Sequence, residues 1–129
     1  MSTDRAIVTA APVVIVEDDL DTLDLYSMSL RAAGYDVQPA RNGGDALDLI
    51  RRARPKVVVT DLTLPDLAGV PLCEAIVEAG RPDLGVLIVV SGSADQDLLS
   101  KVRSAGAREV LVKPCLPTDL EAAVRRALA

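Results

Sequence analysis

The chain has 129 residues, no histidine and a formal net charge of −5, with a sequence pI of about 4.6. That length suggests one domain, large enough to bury a core without disulfide or metal staples. The missing histidine excludes Ser-His-Asp triads, His-ligated zinc and an internal phosphohistidine, and the acidic balance argues against direct nucleic-acid binding and against polyanionic membrane surfaces.

Half of the residues are hydrophobic, yet the only aromatics are Tyr26 and Tyr35, so the core must be built from Val, Leu, Ile and Ala. Cys73 and Cys115 stand far apart and form no metal-spaced pair. They read as free thiols of a reducing, cytoplasmic setting, acting as small buried hydrophobes. No apolar stretch approaches the ~18–20 residues that span a bilayer. Met1-Ser2-Thr3-Asp4-Arg5 lacks the signal-peptide pattern. Residues 1–11 therefore read as a loose leader, and residues 12–129 as a single domain.

In chain order, Val13–Val16 is the first strand. A helix follows from Leu20 to Ala33, with Leu23, Tyr26, Leu30 and Ala33 at helical spacing and Gly34 as its stop. Asp36–Ala40 is a weak strand that contains Pro39, which cannot donate to a ladder, so it belongs at a sheet edge. Asn42-Gly43-Gly44 turns the chain into a helix from about Asp45 to Ala53, ended by Pro55. Lys56–Thr60 is the third strand, Val70–Ala79 a helix closed by Gly80, and Val86–Val90 the fourth and most apolar strand. Ala94–Ala105 is a helix with Gly106 behind it, and Val110–Val112 is the fifth strand. Thr118-Asp119-Leu120-Glu121 fits a capping box that opens the last helix. The strand runs are continuously apolar instead of alternating, which marks strands buried on both faces and hence parallel. Regular β/α alternation gives an α/β fold with a doubly wound five-stranded sheet.

Polar groups gather at the ends of four strands. Glu17-Asp18-Asp19 follows the first strand, Asp61 the third, Ser91 the fourth and Lys113 the fifth. Each has a plain alternative. Acids cap helix N-termini, and Asp19 is assigned only that role. Asp61 alone could be a solvated loop acid, Ser91-Gly92 a turn, and Lys113 a surface lysine. In combination they lie side by side at the rim where open α/β sheets bind ligands. Two unit charges ~4 Å apart repel by about 4 kcal/mol at an effective dielectric near 20. Three carboxylates crowded into one crevice therefore call for a divalent cation or a lysine. Carboxylate oxygens suit Mg²⁺, and a lysine can neutralise a phosphate. The cluster is suited to phosphoryl chemistry.

With Val-Ile-Val-Glu17-Asp18-Asp19, Val-Thr-Asp61-Leu-Thr-Leu-Pro65-x-x-x-Gly69, Val-Val-Ser91-Gly and Leu-Val-Lys113-Pro114 in this order, the chain resembles the receiver domain of two-component response regulators, from about Pro12 onward. The resemblance implies a CheY-like, flavodoxin-like fold with strand order 2-1-3-4-5. It implies Asp61 as phospho-acceptor and Mg²⁺ held by Glu17, Asp18, Asp61 and the backbone carbonyl of Thr63. Lys113 would contact the phosphoryl group, and Ser91 would supply a hydroxyl that moves to it. A sensor histidine kinase or phosphotransfer protein would be the donor, an output partner would read the signal, and homodimers are open to such domains. Such a domain promotes its own phosphorylation without being a dedicated enzyme.

The pattern is departed from at Val110, where the family usually has Tyr or Phe, and at Cys115, often Phe. The switch between hydroxyl and aromatic ring is thus incomplete. This leaves open a phosphorylation-independent interaction module of the same fold. Leu98, Leu99 and Val102 of the fourth helix are candidate partner contacts, with burial in the core the better reading for at least two. An aspartyl phosphatase ranks lower, because Thr63 stands where a second Asp is wanted. Dinucleotide or flavin binding ranks lower still, for want of a G-x-G-x-x-G loop.

Overall fold

The computed structural model describes residues 12–129 and contains five strands and five helices in strict alternation. These are β1 (Val13–Val16), α1 (Leu20–Ala32), β2 (Val37–Ala40), α2 (Gly43–Ala53), β3 (Val57–Asp61), α3 (Gly69–Gly80), β4 (Val86–Ser91), α4 (Gln96–Ser104), β5 (Ala107–Val112) and α5 (Pro117–Leu128). The expected leader, 1–11, lies outside the described residues.

The strands form one parallel sheet in the order β2-β1-β3-β4-β5, as expected. β2 is an edge strand, with Pro39 opposite Ile15, so its missing N–H disturbs no ladder on the outer side. All residues of β1, β3 and β4 are buried, which explains their unbroken apolar runs. Alternate side chains serve opposite layers. Val13, Ile15, Val57, Val59, Ile88 and Val90 pack under α1 and α5 with Leu23, Tyr26, Leu30, Leu120, Ala123 and Val124. Val14, Val16, Val58, Leu87 and Val89 pack against Ala46, Ile50, Leu72, Ile76 and Val102 of α2, α3 and α4. Each fully buried aliphatic side chain contributes roughly 1.5–3 kcal/mol of transfer free energy.

Element ends follow local chemistry, with several differences from expectation. Asp19 caps α1, its carboxylate accepting from the Thr22 amide at 3.0 Å, as assigned. Gly34, at φ +99°, ends that helix. α2 starts at Gly43 instead of Asp45, because Asn42 caps it by accepting from the Asp45 amide at 2.8 Å. α4 starts at Gln96 instead of Ala94, with Asp95 as its cap. β5 begins at Ala107, three residues earlier than Val110. α5 is not opened by a Thr118–Glu121 box. Pro117, whose fixed φ suits the first helical position, starts it, and Asp119 accepts from the Leu116 amide at 3.1 Å. Glu121 instead pairs with Arg125 at 2.6 Å.

Cys73 is fully buried, and burial pushes its thiol up to about 11. Cys115 is half-buried and less core-like than expected, because it sits in the loop after β5. Leu99 and Val102 are buried, and Leu98 packs partly against the same core, so the fourth helix spends these residues inward.

Candidate functional site

β1 is where the sheet reverses direction, since β2 lies on one side of it and β3 on the other. The carboxyl ends of β1 and β3 therefore flank the crevice where open α/β sheets hold ligands. Glu17 and Asp18 leave β1 there, and Asp61 is the last residue of β3. One carboxylate oxygen from each of the three lies within 4.8 Å of the other two. Glu17 and Asp61 are buried, at 4% and 8% exposure, while Asp18 is exposed.

Lys113, just past β5, reaches across the end of β4 into this cluster. Its Nζ lies 3.2 Å from Asp61 Oδ2 and 3.8 Å from Glu17 Oε1. Burial works against its charge, but the hydrogen bond to Asp61 and the charges of Asp61, Glu17 and Asp18 outweigh it and raise the ammonium above its ordinary value. Glu17 behaves oppositely. Burial pushes its carboxyl up to about 7; the Asp19 amide, donating to Oε2 at 3.0 Å, pulls it down, and the Asp61 charge raises it again. Repulsion between carboxylates is thus met by one ammonium and by backbone amides.

The backbone around Asp61 is held tightly. The Thr63 amide lies 3.5 Å from Asp61 Oδ1, which brings the Thr63 backbone beside the carboxylate. Gly69 turns the loop at φ +66°, a conformation that favours glycine, and its amide donates to the Leu62 carbonyl at 2.8 Å. Ser91 is buried at the end of β4, between Asp61 and Lys113 in strand order, but its hydroxyl is engaged locally. It donates to the Ser93 carbonyl at 2.9 Å and accepts from the Ser93 amide at 3.0 Å. Its carbonyl takes the Lys113 amide at 2.8 Å. Val110 is half-buried against the α2–α4 layer and pairs with Val89. The Lys113–Pro114 bond is cis. Glu17, Asp18, Asp61 and Lys113 thus come together; Ser91 is adjacent but turned aside, and Val110 lies in the sheet behind.

Three neighbours were not singled out as site residues. Asp66 accepts from the Gly43 and Gly44 amides at 2.7 and 3.0 Å, tying the loop after Asp61 to the start of α2. A side chain at Gly43 would stand 2.9 Å from Leu67 Cβ, so this close approach needs glycine. Arg41 donates to the Asp18 carbonyl at 3.0 Å. Tyr26, read only as a core position, donates its hydroxyl to the Cys115 carbonyl at 2.8 Å.

The donor set fits a hard cation. It offers carboxylate oxygens and no nitrogen or sulfur, and at Mg–O distances of about 2.1 Å opposite corners of an octahedron lie about 4.2 Å apart. The spread of oxygens within 4.8 Å needs little closing. Among the described residues, no helix is long and apolar enough to cross a membrane.

Known proteins give the same picture. The family described as "Response regulator receiver domain" matches residues 13–125. A response regulator receiver domain protein (CheY-like) from Methanospirillum hungatei is 31% identical, with a TM-score of 0.83 over 91% of this chain and 92% of that one. The BeF3-activated DrrB receiver domain is 32% identical, with a TM-score of 0.80 over 91% of this chain and 96% of that one. The DNA-binding response regulator MtrA of Mycobacterium tuberculosis is 33% identical over 90% of this chain and 50% of its own length. The transcriptional regulatory protein PrrA of Mycobacterium bovis is 34% identical over 94% and 51%. The chain spans about half the length of these curated relatives. The expectation of no direct nucleic-acid binding does not fit relatives such as MtrA, which is named as DNA-binding. With a family match over most of its length, on a sheet whose strand order and rim carry the expected acids and lysine, the chain belongs to the receiver domains of response regulators.

Proposed function

We propose that residues 12–129 act as one phosphoaccepting receiver unit and that Asp61 is the residue phosphorylated. The observation that carries this is the placing of Asp61 Oδ2 3.2 Å from Lys113 Nζ, with oxygens of Glu17 and Asp18 close by. An Asp61 oxygen attacks the phosphorus of a phosphorylated histidine on a kinase or phosphotransfer protein, or of a small phosphodonor. The new O–P bond forms as the donor's P–N or P–O bond breaks, and the leaving group keeps the electron pair. Lys113 meets charge on the equatorial oxygens of the group in flight. Glu17, Asp18, Asp61 and the Thr63 carbonyl would hold Mg²⁺, which when bound neutralises phosphoryl charge. Ser91, released from Ser93, would then have its hydroxyl free for the aspartyl phosphate.

The role is that of a signalling relay and not a dedicated enzyme, read out by an output partner in the cytoplasm or through homodimers. At a net charge of −5 the domain itself is a poor surface for nucleic acid. Incubation with acetyl phosphate and Mg²⁺, followed by intact mass, tests the reading beside an Asp61→Asn control. One added phosphoryl group on the wild type and none on the variant is expected. A folded wild-type protein that takes up no phosphoryl group overturns it.

A further inference from the structure

We propose that Tyr26 is a positioning residue whose hydroxyl, by holding the Cys115 carbonyl, sets where Lys113 presents its ammonium to Asp61. This rests on the phosphoacceptor reading of Asp61 and names a residue of α1 that acts on the same site.

Tyr26 is 5% exposed and lies in the α1–α5 layer among aliphatic neighbours such as Leu23, Leu30 and Leu120. Packing there asks only for an apolar side chain, yet the chain spends one of its two aromatic rings on it. A buried phenol needs a partner for its hydroxyl. The partner is a carbonyl 89 residues away, two positions after Lys113, at 2.8 Å. Burial pushes the phenol well above its ordinary value, so it stays a donor across the working pH range.

The loop that carries Lys113 is then fixed at both ends. On one side the Lys113 amide donates to the Ser91 carbonyl at 2.8 Å. On the other, Tyr26 holds Cys115, with Pro114 restricting φ between them. The loop's own side chains anchor it weakly, since Cys115 is small and half-buried and Leu116 is 60% exposed. A lysine stem is long and flexible, so the point from which it leaves the backbone decides how often its ammonium meets Asp61 at 3.2 Å.

Tyr26→Phe keeps the ring and removes the bond, a loss that leaves a domain of this size folded. It is compared with Lys113→Ala and with the double variant in two measurements. These are the rate of phosphoryl addition from acetyl phosphate at saturating Mg²⁺, and the Mg²⁺ dissociation constant by calorimetry. Tyr26→Phe is expected to slow addition about three- to tenfold. It should also shift Mg²⁺ affinity about twofold in the same direction as Lys113→Ala, because a loosened ammonium competes less with the cation. Both effects should vanish in the Lys113→Ala background, since the two residues act through one contact. A merely structural tyrosine would act equally in both backgrounds, and additive effects, or none, overturn the proposal. If wild type takes up no phosphoryl group, the phosphoacceptor reading fails, while the metal titration still decides the role of Tyr26.

Discussion

On the β1–β3 side of the rim, Glu17 and Asp61 are buried, one held by the Asp19 amide and both reached by the Lys113 ammonium. On the β4–β5 side, Ser91 turns its hydroxyl into its own loop and Val110 stands half-buried without a ring to move. The first half gathers charged groups; the second holds a hydroxyl bonded to its own turn and an aliphatic side chain packed on the core. Burying like charges close together stores repulsion that a cation can relieve, whereas a β-branched side chain in a strand has few rotamers to offer a switch. On the proposed function, phosphoryl acceptance belongs to the first side and readout to the second, and substitutions on the two sides should separate them.

The largest effect is expected from Lys113→Ala. Its removal leaves the three carboxylates without an ammonium, and the metal-free protein should lose about 1–2 kcal/mol, less than a fully buried pair would because Lys113 is 37% exposed. Phosphoryl addition should slow about 10²-fold. Chemical denaturation without metal and a phosphorylation time course measure the two. A variant as stable and as fast as wild type would mean the rim is not organised around this contact.

Asp18→Asn should raise the stability of metal-free protein by about 0.5–1 kcal/mol, because it removes one charge from the crowded crevice. Saturating Mg²⁺ should reverse the order. Wild type gains about 2.7 kcal/mol at a hundredfold excess over its dissociation constant, and the variant gains less. Melting curves with and without Mg²⁺ decide this, and a variant that melts lower without metal would show that the carboxylates do not repel. On the other half of the rim, Val110→Ala should cost about 1 kcal/mol for the methyl groups lost from a partly buried site, while the rate of phosphoryl addition stays unchanged. A marked change in rate would couple the two halves.

Much of this contrast was legible in the residues. Continuous Val and Ile runs required strands buried on both faces, Pro39 required an edge, and Asp19 sat where a cap belongs. The acids and lysine were readable because strand ends place them, and strand ends follow from where the apolar runs stop. What escaped depends on contacts between distant segments. Nothing local distinguishes Tyr26 as a hydroxyl donor from Tyr26 as a core ring, since its acceptor is 89 residues away. The orientation of Ser91 depends on the turn that follows it. The start of α5 was misplaced because two local signals competed, and the fixed φ of Pro117 prevailed over the hydroxyl of Thr118.

Asp66 gives the smallest predicted effect and tests how firmly the chemical half is braced. Its carboxylate accepts from the Gly43 and Gly44 amides, and these hydrogen bonds hold its carboxyl below the ordinary value of 3.8. Because the folded value is the lower one, the contribution to stability is present above about pH 3.8. It declines as the pH falls through the folded value, where both states become protonated. Asp66→Asn should therefore be less stable than wild type at neutral pH, and the gap should close in acid. The variant retains a carbonyl acceptor, so one of the two amide contacts can persist and the gap stays small. Denaturation midpoints of both proteins across pH 2.5–6 measure the difference directly, with the titration of shared carboxylates cancelling. A gap independent of pH would mean that Asp66 braces the loop by shape and not by charge. That would leave Lys113 as the charged brace of the Asp61 side.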